Sequence, residues 1–352
     1  MTTQGIGVMS GTSLDGIDLA WCRFSQDKEG TWNYDVLKSA TYPYTSEFVD
    51  KLKRATEMSA LEYCQLDIEL GEVIALKIKD FIGNDGKPDF IASHGHTIFH
   101  QPAAGLTTQI GNGAVIAART GITTVNDFRK VDVALQGQGA PLVPIGDELL
   151  FGQYDACLNL GGFSNISFNK QSRRIAFDIS PCNMALNYIA NILGKPYDDE
   201  GRIAQTGIVI DNMLKQLNNL PYYQQAAPKS LGKEWFEIQC LPILEEYLRL
   251  HKPQDCLRTF VVHIAQQISK AIPDNVKTML VTGGGAFNKF LINQIKNNWT
   301  GNVCITDQET INYKEAIIFA FLGLLRVNEQ TNTLASVTGA TVNSCGGCIW
   351  KI

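Results

Sequence analysis

Apolar residues follow helical spacing in some stretches of the chain and strand spacing in others. In residues 61–82 they recur every three or four positions, which predicts a helix with one buried face. Short apolar runs at residues 90–93, 123–125 and 278–281 predict buried strands. Further helices are predicted over residues 48–55, 113–119, 184–193, 241–250 and 259–271. Helices and strands that alternate in this way predict an α/β fold.

A strand, a glycine-rich turn and a second strand occur in the same order at two places. Residues 5–9 lead into the turn 10–16, and a second strand follows from Ile17. In the middle of the chain, residues 156–160 lead into the turn 161–165 before the strand 166–168. Turns rich in glycine and hydroxyl groups expose backbone N–H groups that converge on an anion. The repeat therefore predicts two hairpins that clamp a polyphosphate between two domains.

A third glycine-rich stretch, residues 281–288, ends a strand and opens a helix at 289–295. Its three glycines allow a ligand to approach the backbone, and the helix N-terminus adds a partial positive charge. The first turn is not a Walker A motif, because no Gly-Lys-Ser/Thr follows, and a strand rather than a helix comes after it. These three features predict a two-domain ATPase fold of the actin, hexokinase and Hsp70 type, with an ATP cleft between the domains.

The length of 352 residues also favours two domains, because single cores stop growing at roughly 250–300 residues. We expect an N-terminal domain of residues 1–134 plus 336–352, which carries the first phosphate hairpin. The C-terminal domain, residues 135–335, is expected to carry the second hairpin, the candidate catalytic acid and the loop for adenosine. Glycines and prolines in residues 135–144 are typical of a crossover between them.

Charge and apolar runs exclude several classes of function. The chain has 30 Lys+Arg against 35 Asp+Glu, a net charge of −5, so we expect no nucleic-acid partner. The longest apolar run, residues 316–325, is too short for a bilayer, and no secretory leader is recognised, so we expect a cytoplasmic protein without membrane contact.

Dispersed cysteines favour reduced thiols. His94, His96 and His100 lack an acidic partner nearby and form an incomplete zinc set, so no residue is assigned as a metal ligand.

Seven stretches, in order, carry a resemblance to one family along nearly the whole chain. They are Gly-Val-Met-Ser-Gly-Thr-Ser-Leu-Asp-Gly-Ile-Asp (7–18), Ser-His-Gly-His-Thr-Ile-Phe-His-Gln-Pro (93–102), Ala-Ala-Arg-Thr-Gly-Ile-Thr-Thr-Val-Asn-Asp-Phe-Arg (117–129), Gly-Gln-Gly-Ala-Pro-Leu-Val-Pro (137–144), Leu-Asn-Leu-Gly-Gly (158–162), Ala-Pro-Lys-Ser (227–230) and Ser-Val-Thr-Gly-Ala (336–340). With these motifs the sequence resembles the anhydro-N-acetylmuramic acid kinases.

The resemblance implies an ATP-dependent kinase of peptidoglycan recycling. Members open the 1,6-anhydro ring of the amino sugar with water and phosphorylate O6, giving N-acetylmuramic acid 6-phosphate and ADP. We therefore expect ATP with Mg²⁺, a small anhydrosugar substrate and a homodimer. Residues 11–18 match the family's ATP phosphate loop, and the other glycine turns complete the expected ATP site. The expected ATP-binding residues are Gly11, Thr12, Ser13, Leu14, Asp15, Gly16, Ile17, Asp18, Gly161, Gly162, Gly283, Gly284, Gly285 and Asn288.

Asp178 is the candidate general base. It ends the predicted strand 174–177, and it matches the position of the family's catalytic aspartate. A carboxylate within hydrogen-bond reach can take the proton of the water that attacks the anomeric carbon. The alternative is a helix cap, for which Asp178 lies too far before the helix predicted near Met184.

The run after Asp178 departs from the family pattern. Ser180-Pro181-Cys182 stands where the family commonly has Gly-Pro-Gly. A glycine with positive φ is not freely replaced by a residue with a Cβ atom. Either the backbone differs here, or these positions never required the left-handed region.

Four further residues are expected to bind the sugar. Arg129 can bind the lactyl carboxylate of muramic acid through two parallel hydrogen bonds, and Asp127 shares its motif. An ion pair on the surface is the alternative for both. Asn183 is retained from the family run. Glu315 is placed at the start of the helix 316–325, where the helix dipole favours an acid whatever the substrate.

Two other functions remain open from the sequence. A kinase of the same fold could act on another anhydrosugar or a hexose, as the altered run after Asp178 suggests. A non-catalytic nucleotide sensor is the second alternative, although a sensor has no need to keep Asp178.

Overall fold

Strands and helices alternate in the computed structural model, which describes residues 2–11, 14 and 16–352. The strands are β1 (Thr2–Met9), β2 (Gly16–Gln26), β3 (Trp32–Pro43), β4 (Phe90–Ser93), β5 (His96–Gln101), β6 (Leu106–Ile110), β7 (Thr123–Asn126), β8 (Ala156–Leu160), β9 (Phe163–Lys170), β10 (Arg173–Pro181), β11 (Thr278–Thr282), β12 (Asn302–Ile305) and β13 (Cys348–Trp350). The α-helices are α1 (Ser46–Lys53), α2 (Ala60–Ile82), α3 (Gly113–Thr120), α4 (Lys130–Ala134), α5 (Pro144–Leu150), α6 (Asn183–Ile192), α7 (Arg202–Thr206), α8 (Asp211–Asn218), α9 (Lys233–Trp235), α10 (Leu241–Leu250), α11 (Pro253–Ala271), α12 (Lys289–Asn298), α13 (Gln308–Val327) and α14 (Ala335–Thr338). The predicted alternation is confirmed.

The chain forms two compact units, residues 1–150 with 313–352 and residues 151–312. Residues 135–150 and 313–335, which the sequence predicts to lie in the C-terminal domain, belong instead to the first unit. Helix α13 packs on β1 of the first unit, since a Cβ atom on Gly7 would collide with the Ala316 carbonyl, and two further contacts tie α5 to α13. The Lys314 ammonium lies 2.7 Å from the Asp147 carboxylate, with both side chains 6% exposed. Gly146 of α5 packs so closely on Ile318 of α13 that a Cβ atom would fall 2.7 Å from that side chain.

The first unit contains a six-stranded mixed sheet in the order β13-β7-β4-β1-β2-β3. β1, β2 and β3 form an antiparallel meander, while β4 runs parallel to β1 and β7 parallel to β4. Helix α13 packs directly against this sheet, because a Cβ atom on Gly7 of β1 would collide with the Ala316 carbonyl. The glycine at the centre of β1 therefore allows the helix to approach the strand.

The second unit repeats this topology. Its five-stranded sheet has the order β10-β9-β8-β11-β12. β8, β9 and β10 form the antiparallel meander, β11 runs parallel to β8, and β12 runs parallel to β11. Without the short edge strand β13, the two sheets share one order and one set of strand directions. The strand–glycine turn–strand repeat of the sequence is the start of each meander.

Helix α13 is longer than predicted, and this corrects one expectation. The apolar run indicated a helix over 316–325 with Glu315 at its start, but the helix begins at Gln308. The polar residues 308–315 extend it by two turns, so Glu315 lies in the helix interior. The helix dipole acts within the first turn and does not account for an acid at this position.

None of the helices in the described residues is long and apolar enough to cross a membrane.

The buried pair Lys314–Asp147 supplies a stability test. We expect Lys314→Met to lower the free energy of unfolding by about 3 kcal/mol, because the substitution takes this ammonium away from a buried carboxylate. Lys53→Met, at an exposed lysine of the same unit, serves as the matched control. Denaturant unfolding measures both variants. A loss no larger than that of Lys53→Met would show that the pair does not hold α5 to α13.

Candidate functional site

The first glycine hairpin connects β1 to β2. The backbone N–H of Leu14 donates to the Gly11 carbonyl at 3.2 Å, and Leu14 has φ 60°, so this part of the loop turns tightly. Of the residues expected to bind ATP here, Thr12, Ser13 and Asp15 lie outside the described residues. Gly16, Ile17 and Asp18 begin β2, directly after the turn.

Ser10 anchors the end of β1. It is 1% exposed, and its hydroxyl lies 2.7 Å from the Tyr44 hydroxyl and 3.0 Å from His96 Nδ1. Burial lowers the pKa of His96, so this imidazole is neutral at physiological pH. The strand end that carries the turn is therefore fixed by neutral hydrogen bonds to β5 and to the segment after β3.

Arg129 is held by a neutral histidine. Its Nε and Nη2 atoms lie 3.0 and 2.9 Å from His94 Nε2, and its Nη1 donates to the Gly139 carbonyl at 2.6 Å. His94 Nδ1 lies 2.8 Å from the Gly95 carbonyl, so Nδ1 carries the proton and Nε2 accepts. Burial, then the charge of Arg129, holds the pKa of His94 well below its usual value.

Arg129 remains a cation in this setting. Burial lowers its pKa to about 10, while the nearby carboxylates of Glu315 and Asp132 act in the opposite direction. The guanidinium is thus charged at neutral pH. Its hydrogen bonds go to His94 and to the Gly139 carbonyl, which are neutral acceptors. Among the described residues, no carboxylate forms an ion pair with it.

Glu315 completes this group of charges. Desolvation raises its pKa, the Asp18 carboxylate raises it further, and the charges of Arg129 and Lys314 oppose both effects. The structure therefore brings Asp18, Arg129 and Glu315 into one electrostatic neighbourhood, although they are far apart in the sequence.

The loop that binds Arg129 is itself anchored by Asp132. This carboxylate is 1% exposed and accepts from the Gly139 N–H and from the Thr338 hydroxyl, each at 2.7 Å. Sequence reasoning missed both His94 and Asp132. The available signals were the Ser-His-Gly-His motif, which also carries the family resemblance, and the Gly-Gln-Gly-Ala motif that Asp132 holds.

Asp127 has a different partner from Arg129. Its φ is 62°, and its Oδ2 lies 2.6 Å from the ammonium of Lys130. The side chain lines a cavity of about 160 Å³ together with Gln109 and Trp350. The surface ion pair that was the alternative for this motif is thus present for Asp127, with Lys130 as its partner.

Two glycine turns adjoin in the second unit. Gly283 has φ 80°, and a Cβ atom there would fall 2.9 Å from the carbonyl of Leu160, so only glycine fits. Asn183 holds the first of these turns, since its N–H donates to the Gly161 carbonyl at 3.0 Å and its Nδ2 to the Leu160 carbonyl at 2.9 Å. The same side chain lies beside the second turn, where a Cβ atom on Gly285 would fall 3.3 Å from its Oδ1. Gly162 is exposed, and a Cβ atom there would come no closer than 3.9 Å to the nearest side chain, whereas Gly161 is half-buried.

Asn288 begins helix α12. Its Oδ1 accepts from the Leu291 N–H at 2.9 Å, which makes it the N-cap of that helix. The side-chain oxygen is therefore engaged, and the amide nitrogen is the part of this side chain that remains for a ligand.

The departure from Gly-Pro-Gly has a local explanation. Ser180 belongs to strand β10, and Cys182 has φ −126°, so neither position is in the left-handed region. The Ser180 hydroxyl lies 3.0 Å from that of Ser164, inside the sheet. Cys182 is fully buried, and burial raises the pKa of its thiol to about 12, which excludes a thiolate nucleophile.

Asp178 lies where the pairing of β9 with β10 changes register. Asp178 faces Asn165 while Ser180 faces Ser164, so Ile179 forms a β-bulge. Asp178 does not cap helix α6, whose N-cap is Cys182. This arrangement removes the structural alternative that the sequence left open for Asp178.

The segment of residues 222–231 contacts Asp178 at three atoms. The Tyr222 hydroxyl donates to the Asp178 carbonyl at 2.6 Å, and the Asp178 N–H donates to the Lys229 carbonyl at 3.2 Å. The Leu231 N–H donates to Asp178 Oδ2 at 2.9 Å. Burial raises the pKa of Asp178, and the Leu231 N–H partly opposes this. The result is a carboxylate with a fixed orientation and increased basicity.

Within the described residues, no three His, Cys, Asp or Glu side chains are grouped as a metal site requires.

The repeated topology and the glycine turns at its strand ends define the class of the protein. It has the α/β ATPase fold of the actin, hexokinase and Hsp70 class, as the sequence predicted.

The profile of the anhydro-N-acetylmuramic acid kinases matches residues 3–351, and the chain belongs to this family of kinases. A relative of that name from Francisella tularensis subsp. novicida is 37% identical over 95% of both chains. One from Hydrogenovibrio crunogenus is 35% identical over 98% of this chain and 97% of its own. One from Aliivibrio fischeri is 36% identical over 98% of both.

The raised pKa of Asp178 predicts the acid limb of the pH profile. A general base is inactive when protonated, so kcat/KM is expected to fall with decreasing pH at values above the ordinary aspartate pKa of about 3.8. Steady-state rates between pH 4 and 8 measure this limb. Full activity down to about pH 4 would contradict a desolvated aspartate as the base.

Tyr222 supplies a test of positioning. We expect Tyr222→Phe to lower kcat about tenfold, since the Asp178 carbonyl loses its hydroxyl donor and the carboxylate loses its alignment. The KM for ATP is expected to change less than twofold. Tyr188→Phe is the control, because the Tyr188 hydroxyl donates instead to the exposed Glu245. Equal kcat values in the two variants would contradict a positioning role for Tyr222.

Proposed function

We propose that this chain is an ATP-dependent kinase that hydrolytically opens the 1,6-anhydro ring of anhydro-N-acetylmuramic acid and phosphorylates O6. The products are N-acetylmuramic acid 6-phosphate and ADP, and the enzyme serves amino-sugar recovery from peptidoglycan. The observation that carries the proposal is Asp178, a half-buried carboxylate of raised pKa whose position segment 222–231 fixes at three atoms.

ATP is proposed to bind at the glycine turns through backbone N–H groups. Residues 11–18 and the turn at Gly161-Gly162 would hold the phosphates, and Gly283-Gly284-Gly285 with Asn288 would lie towards adenosine. The exposure of Gly162 at this turn supports the assignment. Such donors bind phosphate without a positive protein, so a net charge of −5 does not oppose ATP binding.

Mg²⁺ is proposed to bind with ATP. The donors present fit the way magnesium is bound in kinases, by one or two carboxylates together with substrate phosphates. We assign this role to Asp18, which lies at the edge of the first turn. The Thr41 hydroxyl donates to its carboxylate and orients it. When bound, the ion would neutralise phosphate charge.

The sugar is proposed to bind through its lactyl carboxylate at Arg129. The neutral acceptors His94 and Gly139 orient the guanidinium and leave its positive charge available. Glu315 would accept from a sugar hydroxyl nearby. Asn183 and Asp127 complete the proposed set, with Asn183 at the glycine turns and Asp127 beside Lys130.

The reaction requires one water and one proton acceptor. Water attacks C1, the C1–O6 bond breaks, and Asp178 takes the proton of the water. The freed O6 attacks the γ-phosphorus, and the bond from this phosphorus to the ADP oxygen breaks. One proton is released to solvent overall. Asp178 must therefore be deprotonated and oriented before water attacks, and its three contacts with segment 222–231 supply that orientation.

The proposal also includes a homodimer in the cytoplasm without a nucleic-acid partner. Light scattering on the purified chain measures its mass directly.

Asp178→Asn tests the base. We expect at least a thousandfold loss of product formation with unchanged ATP affinity, since the amide keeps the shape of the side chain but accepts no proton. Asp274→Asn, at an exposed loop position, is the matched control. Mass spectrometry follows the phosphosugar, and calorimetry measures ATP binding. Near-normal turnover in Asp178→Asn would remove Asp178 from the mechanism.

The same assay tests the substrate. The anhydrosugar with its N-acetyl and lactyl groups is expected to react, and the analogue without the lactyl group is expected to have a KM raised at least tenfold, because it offers no carboxylate to Arg129. Equal kcat/KM for both sugars would favour a kinase of broader or different specificity. ATP binding without any phosphosugar would favour a nucleotide sensor.

A further inference from the structure

A cavity of about 210 Å³ lies in the second unit, beside strand β10, the C-terminal part of helix α11 and residues 223–229. Phe177 and Ile179 of β10 line it, and they flank Asp178 on the strand. Phe177 and Asp178 are neighbours in the regularly paired part of β10, so their side chains point to opposite faces of the strand. None of the residues proposed above to bind ATP or sugar lines it.

The lining carries positive charge and no negative charge. Lys229 and Lys270 contribute two ammonium groups, and no Asp or Glu is among the lining residues. Within the described part of the chain, neither lysine forms an ion pair. Two uncompensated cations in one cavity of a protein with net charge −5 favour an anionic ligand.

Lys229 is the more deeply set of the two cations. Its ammonium lies 4.5 Å from the centre of the Tyr222 ring and donates to the Tyr222 carbonyl at 3.2 Å. Burial lowers its pKa, so the charged form lacks part of the solvation it would have in water. A bound oxyanion would restore that solvation through the remaining N–H groups.

The floor of the cavity is hydrogen-bonded and partly apolar. The Tyr223 hydroxyl lies 2.9 Å from His263 Nε2, and His263 Nδ1 lies 2.8 Å from Asn218 Oδ1. Gln267, which is 4% exposed, donates to the same Asn218 oxygen at 2.6 Å. Burial lowers the pKa of His263 to about 3, so this network stays neutral. The faces of Tyr223 and Phe177 remain for an apolar group.

We propose that this cavity binds a small organic oxyanion, a carboxylate or phosphate carried on a short apolar group. The two lysines would bind the oxyanion, and Phe177 with Tyr223 would contact the apolar part. The ligand would also touch the segment that holds Asp178, because the Lys229 carbonyl accepts from the Asp178 N–H. Occupancy is thereby coupled to the position of the proposed base.

Calorimetric titration with propionate and with methyl phosphate, at constant ionic strength, tests the site directly. We expect saturable binding of at least one probe, which tells which oxyanion the cavity prefers. Lys270→Gln and Lys229→Gln are each expected to weaken binding about three- to fivefold. Lys296→Gln, at an exposed helix position of the same unit, is expected to leave it unchanged.

The titration does not depend on kinase activity, so a failure of the proposed function would leave it intact. Methyl phosphate is titrated with ADP present, which occupies the proposed nucleotide site. No saturable binding of either probe, or equal affinities in the chain and in all three variants, would overturn the site. In the active enzyme, the bound probe is expected to change kcat, and this change is expected to be smaller in Lys270→Gln. An identical effect in that variant would overturn the coupling to Asp178.

Discussion

The hold of segment 222–231 on Asp178 is the constraint on which the proposed chemistry depends. A β-bulge interrupts the pairing of β10 with β9 next to Asp178. The segment binds both the backbone carbonyl and the carboxylate of Asp178. Burial of the carboxylate raises its pKa, and the Leu231 N–H of this segment partly opposes that shift. A single residue thus combines a fixed position with increased basicity.

Local patterns were sufficient to predict the architecture and part of the site. The glycine turns and Asp178 follow directly from strands that the sequence marks clearly, and the repeated meander follows from the repeated motif. The sequence did not predict the first two turns of helix α13, because most residues between Gln308 and Ala316 are polar and the apolar run begins only at Ala316. Glu315 therefore lies inside the helix, beyond the first turn where the helix dipole would favour an acid.

The remaining features depend on contacts between distant parts of the chain. His94 and Asp132 serve Arg129 through hydrogen bonds that no spacing reveals, and Tyr222 meets Asp178 only in the folded unit. Ser180 and Cys182 show the reverse case. The sequence suggested a backbone conflict at both, but Ser180 lies in strand β10 and Cys182 has a negative φ, so neither residue occupies the left-handed region.

The central claim is that Asp178 activates water for ring opening in step with phosphorylation of O6. The most direct measurement is the mass of the phosphosugar formed from the anhydrosugar and ATP in ¹⁸O-labelled water. The account predicts one labelled oxygen, located at C1 by fragmentation of the product. A phosphosugar without label would contradict it and would indicate a kinase that phosphorylates a hydroxyl already present.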